Sequence, residues 1–205
     1  WRADVTNRES LERLKSDAEE VWGTANILVN KAGIDVPPSL GQSYRIEDIP
    51  AELFLPALQV NVFGAFLVSQ VFGGEMVKNR KGAIVNIGSL YGTVSPDASF
   101  YTHIECDPPF VKPPAYAASK AGVIQLTKYL ATHWGPYGVR VNTLSPGGVE
   151  GGQDSEFKRK FCARVPLQRM AEKEDLKGPL VFLASNASSY VTGHNLQVEG
   201  GFTAW

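Results

Sequence analysis

Apolar residues recur along this chain with two alternating periods. Leu11, Leu14, Ala18 and Val21 fall three or four apart, the spacing that lines one face of a helix. Just ahead of them, Thr6 and Glu9 read as a Thr-x-x-Glu capping box, in which each side chain satisfies a free backbone donor at the helix start. A short apolar run over Asn26–Asn30 ends in a glycine turn at Gly33 and reads as a buried strand. The helical period returns over roughly Ala51–Lys78 and gives way to an apolar run at Ala83–Ile87. It resumes over Pro114–Trp134, stops for Val139–Leu144, and appears again over Lys173–Ser185 before a last short strand at Asn195–Glu199. Gly178-Pro179 interrupts that last helix. A proline there removes a backbone bond at a cost of about 3 kcal/mol, which predicts a kink or a late helix start.

Short apolar strands bounded by glycine and separated by helices predict a parallel sheet with helices on both faces. In such sheets ligands bind beyond the carboxyl ends of the strands. Those ends are Asn30-Lys-Ala-Gly33, Ile87-Gly-Ser89 and Leu144-Ser-Pro-Gly147, each carrying polar or glycine residues suited to a site.

Composition narrows the class. A length of 205 residues with 43% hydrophobic and 20% charged residues predicts one soluble domain over residues 1–205 with a core of its own. Twenty Lys and Arg against twenty-one Asp and Glu give a net charge of −1, so neither nucleic acid nor an anionic membrane is an expected partner. The longest apolar stretch, Leu53–Phe72, is broken by Pro56, Gln59, Asn61, Ser69 and Gln70 and is not expected to span a bilayer. Cys106 and Cys162 make no disulfide framework, and the chain has no signal-like start, so a cytoplasmic setting is expected.

One pair carries candidate chemistry. Tyr116 and Lys120 are four apart near the start of a helix and share a face. An ammonium close to a phenol stabilises the phenolate and lowers its pKa by about one to three units, whereas the helix dipole contributes only about 0.3–1 kcal/mol. The expected product is a tyrosine that exchanges protons near neutral pH. Seven Tyr among 205 residues make a chance Tyr-x-x-x-Lys common, so the pair gains weight only from its company. Ser89 follows a predicted strand, where its hydroxyl can hydrogen-bond a substrate oxygen. Asn61 lies in an apolar helical pattern, where a buried amide must be hydrogen-bonded or cost roughly 1–3 kcal/mol.

With these residues in view, the sequence resembles the short-chain dehydrogenase/reductase family across its length. The matching segments are Asp4-Val5, Asn30-Lys-Ala-Gly33, Asn61-Val-Phe-Gly64, Val85-Asn-Ile-Gly-Ser89 and Tyr116-Ala-Ala-Ser-Lys120. Val139 to Gly147, Val191-Thr-Gly193 and Gly200-Gly201 complete the set. The resemblance implies a Rossmann-like, doubly wound, three-layer α/β fold and an NAD or NADP cofactor. It implies that Tyr116 is the acid–base residue, that Lys120 lowers its pKa and holds the nicotinamide ribose, that Ser89 orients the reacting oxygen, and that Asn61 holds a proton-relay water. By the same resemblance Asp4 and Val5 line the adenine pocket, Asn30, Ala32 and Gly33 the ribose side, and Pro146, Gly147 and Val149 the nicotinamide side. It also implies a homo-oligomer, dimer or tetramer, packed through the two long helices, with the C-terminal Gly200–Trp205 joining the contact.

Several features depart from the family pattern. The family opens with a strand, a glycine-rich turn and a helix that cradle the pyrophosphate, and Trp1–Thr6 reads as the end of a later strand, so this first βαβ unit is absent from the chain. That is expected either of a piece of a longer protein or of a natural truncation. The usual determinant of NAD against NADP lies in the same unit. Lys31 stands where the family usually has Asn, either to meet a cofactor phosphate or as a tolerated surface change. Ser89 and Tyr116 are 27 positions apart, and the proline-rich stretch between Gly92 and Ala115 is a candidate substrate cover. Its His103, Glu105, Cys106 and Asp107 lack a metal-site spacing, so no metal is expected. His133 and His194 read as structural, and Phe54, Phe63, Phe66 and Phe72 as core or subunit contact.

The expected activity is NAD(P)-dependent interconversion of a secondary alcohol and a ketone, on a sugar, sugar acid or polyol. The alternatives are a 3-oxoacyl-type ketoester reductase and a non-catalytic relative that only assembles with other subunits.

Overall fold

The computed structural model describes residues 1–35 and 43–205. Four parallel strands, β1 (Ile27–Asn30), β2 (Gly82–Ile87), β3 (Val139–Pro146) and β4 (Asn195–Val198), pair in chain order. Between them run α1 (Arg8–Trp22), ahead of β1, then α2 (Ala51–Leu58), α3 (Ala65–Lys78), α4 (Pro114–Trp134), α5 (Ser155–Arg164) and α6 (Lys173–Ala184). This is the Rossmann-like α/β layering the pattern predicts.

Strand alternation builds both layers of core. Ile84 of β2 and Val141 of β3 are register partners and pack with Met76 of α3 and Leu130 of α4. The next residue, Val85, points the other way and packs with Leu144 and Leu183 of α6. On the α3/α4 side the sheet also buries polar groups, all of them paired. Asn30 Nδ2 donates to Ser69 Oγ at 2.9 Å and to Asn86 Oδ1 at 2.8 Å, and Asn86 Nδ2 donates to Thr127 Oγ1 at 2.8 Å. Thr143 Oγ1 donates to the same Thr127 oxygen at 2.7 Å. This chain of side-chain bonds pins α3 and α4 onto the sheet.

The structure corrects several local expectations. The capping box at Thr6 does not form, because Asp4 Oδ1 takes both the Thr6 amide and hydroxyl (2.8 and 2.7 Å). Asn7 caps α1 instead, accepting from the Ser10 amide at 2.9 Å. Trp1–Thr6 forms a turn and no strand. The long helix predicted over Ala51–Lys78 is three consecutive pieces, with a π-helical segment at 59–64 between α2 and α3 that carries Asn61. The whole run is apolar and long enough to cross a membrane. Its α3 portion instead buries Leu67, Val68, Val71, Phe72 and Met76 in this chain's own core. β3 continues two residues beyond Leu144. α6 neither starts late nor stops at Pro179, and a reciprocal cap between Glu172 and Asp175 begins it.

A second core, centred on α5, lies beyond the sheet's carboxyl end. Phe161 and Phe202 stack with centroids 5.1 Å apart, and Phe100 packs edge-on to both. Tyr101 and Phe110 join the cluster from the long Gly92–Ala115 stretch. Phe202 of the expected subunit-contact tail is thus buried inside its own chain, whereas Trp205 is exposed.

Candidate active site

The strand ends deliver the polar residues to one cleft of about 990 Å³, as the carboxyl-end rule requires. Ser89 follows β2 directly and caps the short turn 90–92 by accepting from the Tyr91 amide at 3.2 Å. Tyr116 is the third residue of α4, whose start Pro113-Pro114 sets. Both line the cleft, and the Ser89 hydroxyl is hydrogen-bonded to the Tyr116 phenol. One turn further along α4, Lys120 is buried with its Nζ 5.6 Å from the Tyr116 ring centroid. It uses one of its three N–H groups on the Ile87 carbonyl at 2.8 Å, at the end of β2. The pair sits on one face, as the four-residue spacing demands.

A second ammonium flanks the same ring. Lys112 Nζ is 5.3 Å from the Tyr116 centroid and 2.7 Å from an Asp35 carboxylate oxygen. Two ammonium groups therefore stand within 5.6 Å of the Tyr116 ring centre. The expected lowering of its pKa is nevertheless not what this geometry produces. Burial pushes the Tyr116 phenol above its ordinary value, with the Ser89 bond offsetting only part and Asp35 adding to the rise. The same burial draws the Lys120 ammonium below its ordinary value. Desolvation of both partners outweighs the attraction expected between them.

Asn61 stands behind this pair. Its Oδ1 accepts from the Ile34 amide at 2.7 Å, and its Nδ2 donates to the Ile34 carbonyl and to Ser119 Oγ, both at 2.9 Å. The π segment thereby ties the loop after β1 to α4. Gly33 completes the junction. A Cβ there would stand 3.2 Å from Asn61 Oδ1 and 3.7 Å from Lys120 Nζ, so a side chain would wedge between them.

Of the residues expected near a cofactor, Tyr116, Gly147 and Val149 line the cleft. Gly147 is forced small, since a Cβ would meet the Glu199 backbone at 2.8 Å. Pro146 ends β3, paired with Val198. The Asn30 side chain is committed to the sheet network, and Ala32 and Lys31 are exposed on the loop beside Gly33. Asp4 and Val5 are not among the cleft residues. The Asp4 carboxylate serves Thr6, and Val5 packs against Gly64.

Tyr101 and Lys112, from the stretch expected to cover the substrate, line the cleft. Tyr91 escaped the sequence reading, as did Gln153, Asp154, Phe157, Phe161 and Met170 from the β3–α5 connection and beyond. The available signal for α5 was Asp154 as a cap, with Phe157 and Phe161 one turn apart. His103, from the predicted cover, does line the cleft, with Nε2 2.8 Å from Asp154 Oδ1. Among the described residues no three His, Cys, Asp or Glu side chains converge as metal ligands.

A parallel sheet whose strand end brings a serine to a tyrosine, with a buried lysine one turn along the same helix, is the arrangement expected from the resemblance to short-chain dehydrogenases. The chain belongs to the short-chain dehydrogenase/reductase family: a family model described as Enoyl-(Acyl carrier protein) reductase matches residues 1–203. It is 36% identical over 216 residues to the D-arabinitol 2-dehydrogenase [ribulose-forming] of Candida tropicalis, covering 100% of this chain and 70% of that protein. Among solved structures it superposes with a TM-score of 0.87 and 39% identity on a short chain dehydrogenase from Leptospira borgpetersenii with bound NAD+, covering 99% of this chain and 74% of the other. A gluconate 5-dehydrogenase from Burkholderia cenocepacia, in complex with NADP and tartrate, gives a TM-score of 0.84 at 29% identity, covering 98% of this chain and 74% of the other.

Proposed function

We propose that this chain carries the catalytic site of an NAD- or NADP-dependent dehydrogenase that interconverts a secondary alcohol and a ketone on a sugar, sugar acid or polyol. The observation that carries the reading is the Ser89–Tyr116 hydrogen bond with Lys120 behind it. The polyol and sugar-acid relatives support the substrate class.

The residues fit the nicotinamide end of such a cofactor. The cleft runs from Gly147 and Val149 to Tyr116, and the glycine at 33 leaves the approach to Lys120 clear of a side chain. Lys120 would hold the nicotinamide ribose, with Gly147 and Val149 beside the ring. When bound, the dinucleotide supplies the hydride acceptor or donor. Ser89 orients the substrate oxygen, and Tyr116 takes the alcohol proton during oxidation and returns it during reduction. Asn61 holds the loop at Ile34 and the Ser119 turn of α4 in the register that sets Lys120 behind Tyr116.

Tyr116→Phe is expected to leave cofactor binding intact and to lower turnover about 10²–10⁴-fold. Steady-state assays of the intact protein with either dinucleotide read the second quantity, and fluorescence titration reads the first. A variant with ordinary activity overturns the assignment. The family model's description favours an acyl reading instead, and turnover of an acyl ketoester with none of a sugar acid or polyol would establish it.

We also infer a homo-oligomer. Leu55, Phe63 and Phe66 are exposed and line an apolar groove with Pro56 and Leu126 on α2, the π segment, α3 and α4.

A further inference from the structure

The loop that follows β1 is fastened twice to the region around α4. At Ile34 its backbone is held by Asn61, which also bonds Ser119. One residue on, the Asp35 carboxylate accepts from Lys112 Nζ through both oxygens, at 2.7 and 3.0 Å. Lys112 closes the Gly92–Ala115 stretch two residues ahead of α4. Elsewhere that stretch is tied to α5, where Arg164 donates to Asp97 and Lys160 to Thr102. The Lys112 side chain is 8% exposed and that of Asp35 39%, so the ammonium is nearly withdrawn from water and depends on this carboxylate. Both residues line the cleft that holds Ser89 and Tyr116.

The tie places opposite charges beside the acid–base residue. Lys112 Nζ is 5.3 Å from the Tyr116 ring centre. Burial acts first on Tyr91, Tyr101, Tyr116 and Lys120, lifting the phenols and lowering the ammonium. Beyond burial, Asp35 is the one carboxylate among the described residues that acts on all four, and it holds the proton on each. The other groups that face the Tyr116 phenol are Ser89 and Tyr91 after β2 and Lys120 on α4. His103, Glu105 and Asp154 also line the cleft. An ion pair beside a titrating phenol has halves that pull in opposite directions: a near cation favours the phenolate, and an anion disfavours it.

We propose that Asp35 and Lys112 are positioning residues that together set the pH range in which Tyr116 exchanges its proton, the carboxylate restraining a cation that would otherwise favour the phenolate. This rests on the redox reading of the Ser89–Tyr116–Lys120 site for its catalytic meaning.

The test removes the two charges separately. Intact protein, Asp35→Asn, Lys112→Gln and the double variant are assayed across pH for oxidation of D-arabinitol, galactitol and glycerol with both dinucleotides, a direction in which activity rises as Tyr116 gives up its proton. Asp35→Asn leaves the ammonium unopposed and is expected to move the rising limb of kcat/KM down by about one pH unit. Lys112→Gln leaves the carboxylate and is expected to move it up by about one unit. The double variant falls between the two, and Lys112→Arg, which keeps the charge, keeps the wild-type limb. Ultraviolet titration of phenolate formation, with Tyr116→Phe as the background, reads the same shifts without turnover. A purely structural tie predicts equal losses in both single variants with the limb unmoved. Shifts in one direction, or none, overturn the proposal and leave the redox reading standing. If Asp35→Asn does not fold, Lys112→Gln decides alone, and an unmoved or lowered limb overturns the pair. Wild-type protein inert towards every alcohol overturns the redox reading, and the ultraviolet titration then judges the pair by itself.

Discussion

At the residue scale, desolvation decides the protonation of the site. Two ammonium groups stand near the Tyr116 ring, yet burial still pushes its phenol above the ordinary value. Tyr91 shows the same effect more strongly, its phenol pushed up to about 12 by burial from an ordinary value of 10.0. The unfolded chain therefore ionises this tyrosine first as pH rises. Below about pH 10 both states are protonated and the difference contributes nothing. Between about pH 10 and 12 folding stability falls, by about 2–3 kcal/mol from Tyr91 alone. Urea unfolding at about pH 9 and about pH 11.5 should show that loss in wild-type protein and a smaller one in Tyr91→Phe. Equal losses in the two proteins would count against Tyr91 as the source.

At the scale of elements, the hydrogen-bonded chain beneath the sheet shows what a sequence discloses and what it hides. The α3/α4 face of β2 and β3 holds Asn86 and Thr143, which pattern reading treats as interruptions in apolar strands. Thr127, in the middle of α4, accepts from both and donates to the Val123 carbonyl at 2.9 Å. Thr127→Val keeps the shape and strands two buried donors, so it should cost about 2–4 kcal/mol in chemical denaturation while leaving the cleft residues in place. A cost within about 0.5 kcal/mol would mean the network relaxes around the change. β2, β3 and α4 were legible to within two residues, because glycine-bounded apolar runs and a long helical period mark them, whereas α5 was not. The π segment was not, since one extra residue in a helical turn leaves the apolar pattern nearly unchanged. The cap at Asn7 was hidden by an equally good competitor at Thr6, which Asp4 captured.

At the scale of the molecule, the fold is a sheet with its ligand cleft roofed by a second, aromatic core. α5, the Gly92–Ala115 stretch and Phe202 build that roof, and none of them follows from the periodicity that predicts the sheet. Leu55, Phe63 and Phe66 on α2, the π segment and α3 are exposed to solvent. If copies of the chain cover this face, Leu55→Lys with Phe63→Lys should convert the oligomer to monomer in light scattering. A monomeric wild-type protein would remove the proposed assembly.

The sequence by itself determined the α/β layering and the pairing of Tyr116 with Lys120, because both depend on fixed local spacings: two along a strand, and four along a helix. It also placed Ser89 at a strand end, where such sheets bind ligands. Only the tertiary structure decided that burial pushes the Tyr116 phenol up, that Asn61 serves Ile34 and Ser119, and that Tyr91 and His103 line the same cleft. Those outcomes depend on burial and on contacts between residues far apart in the chain. No local period encodes either.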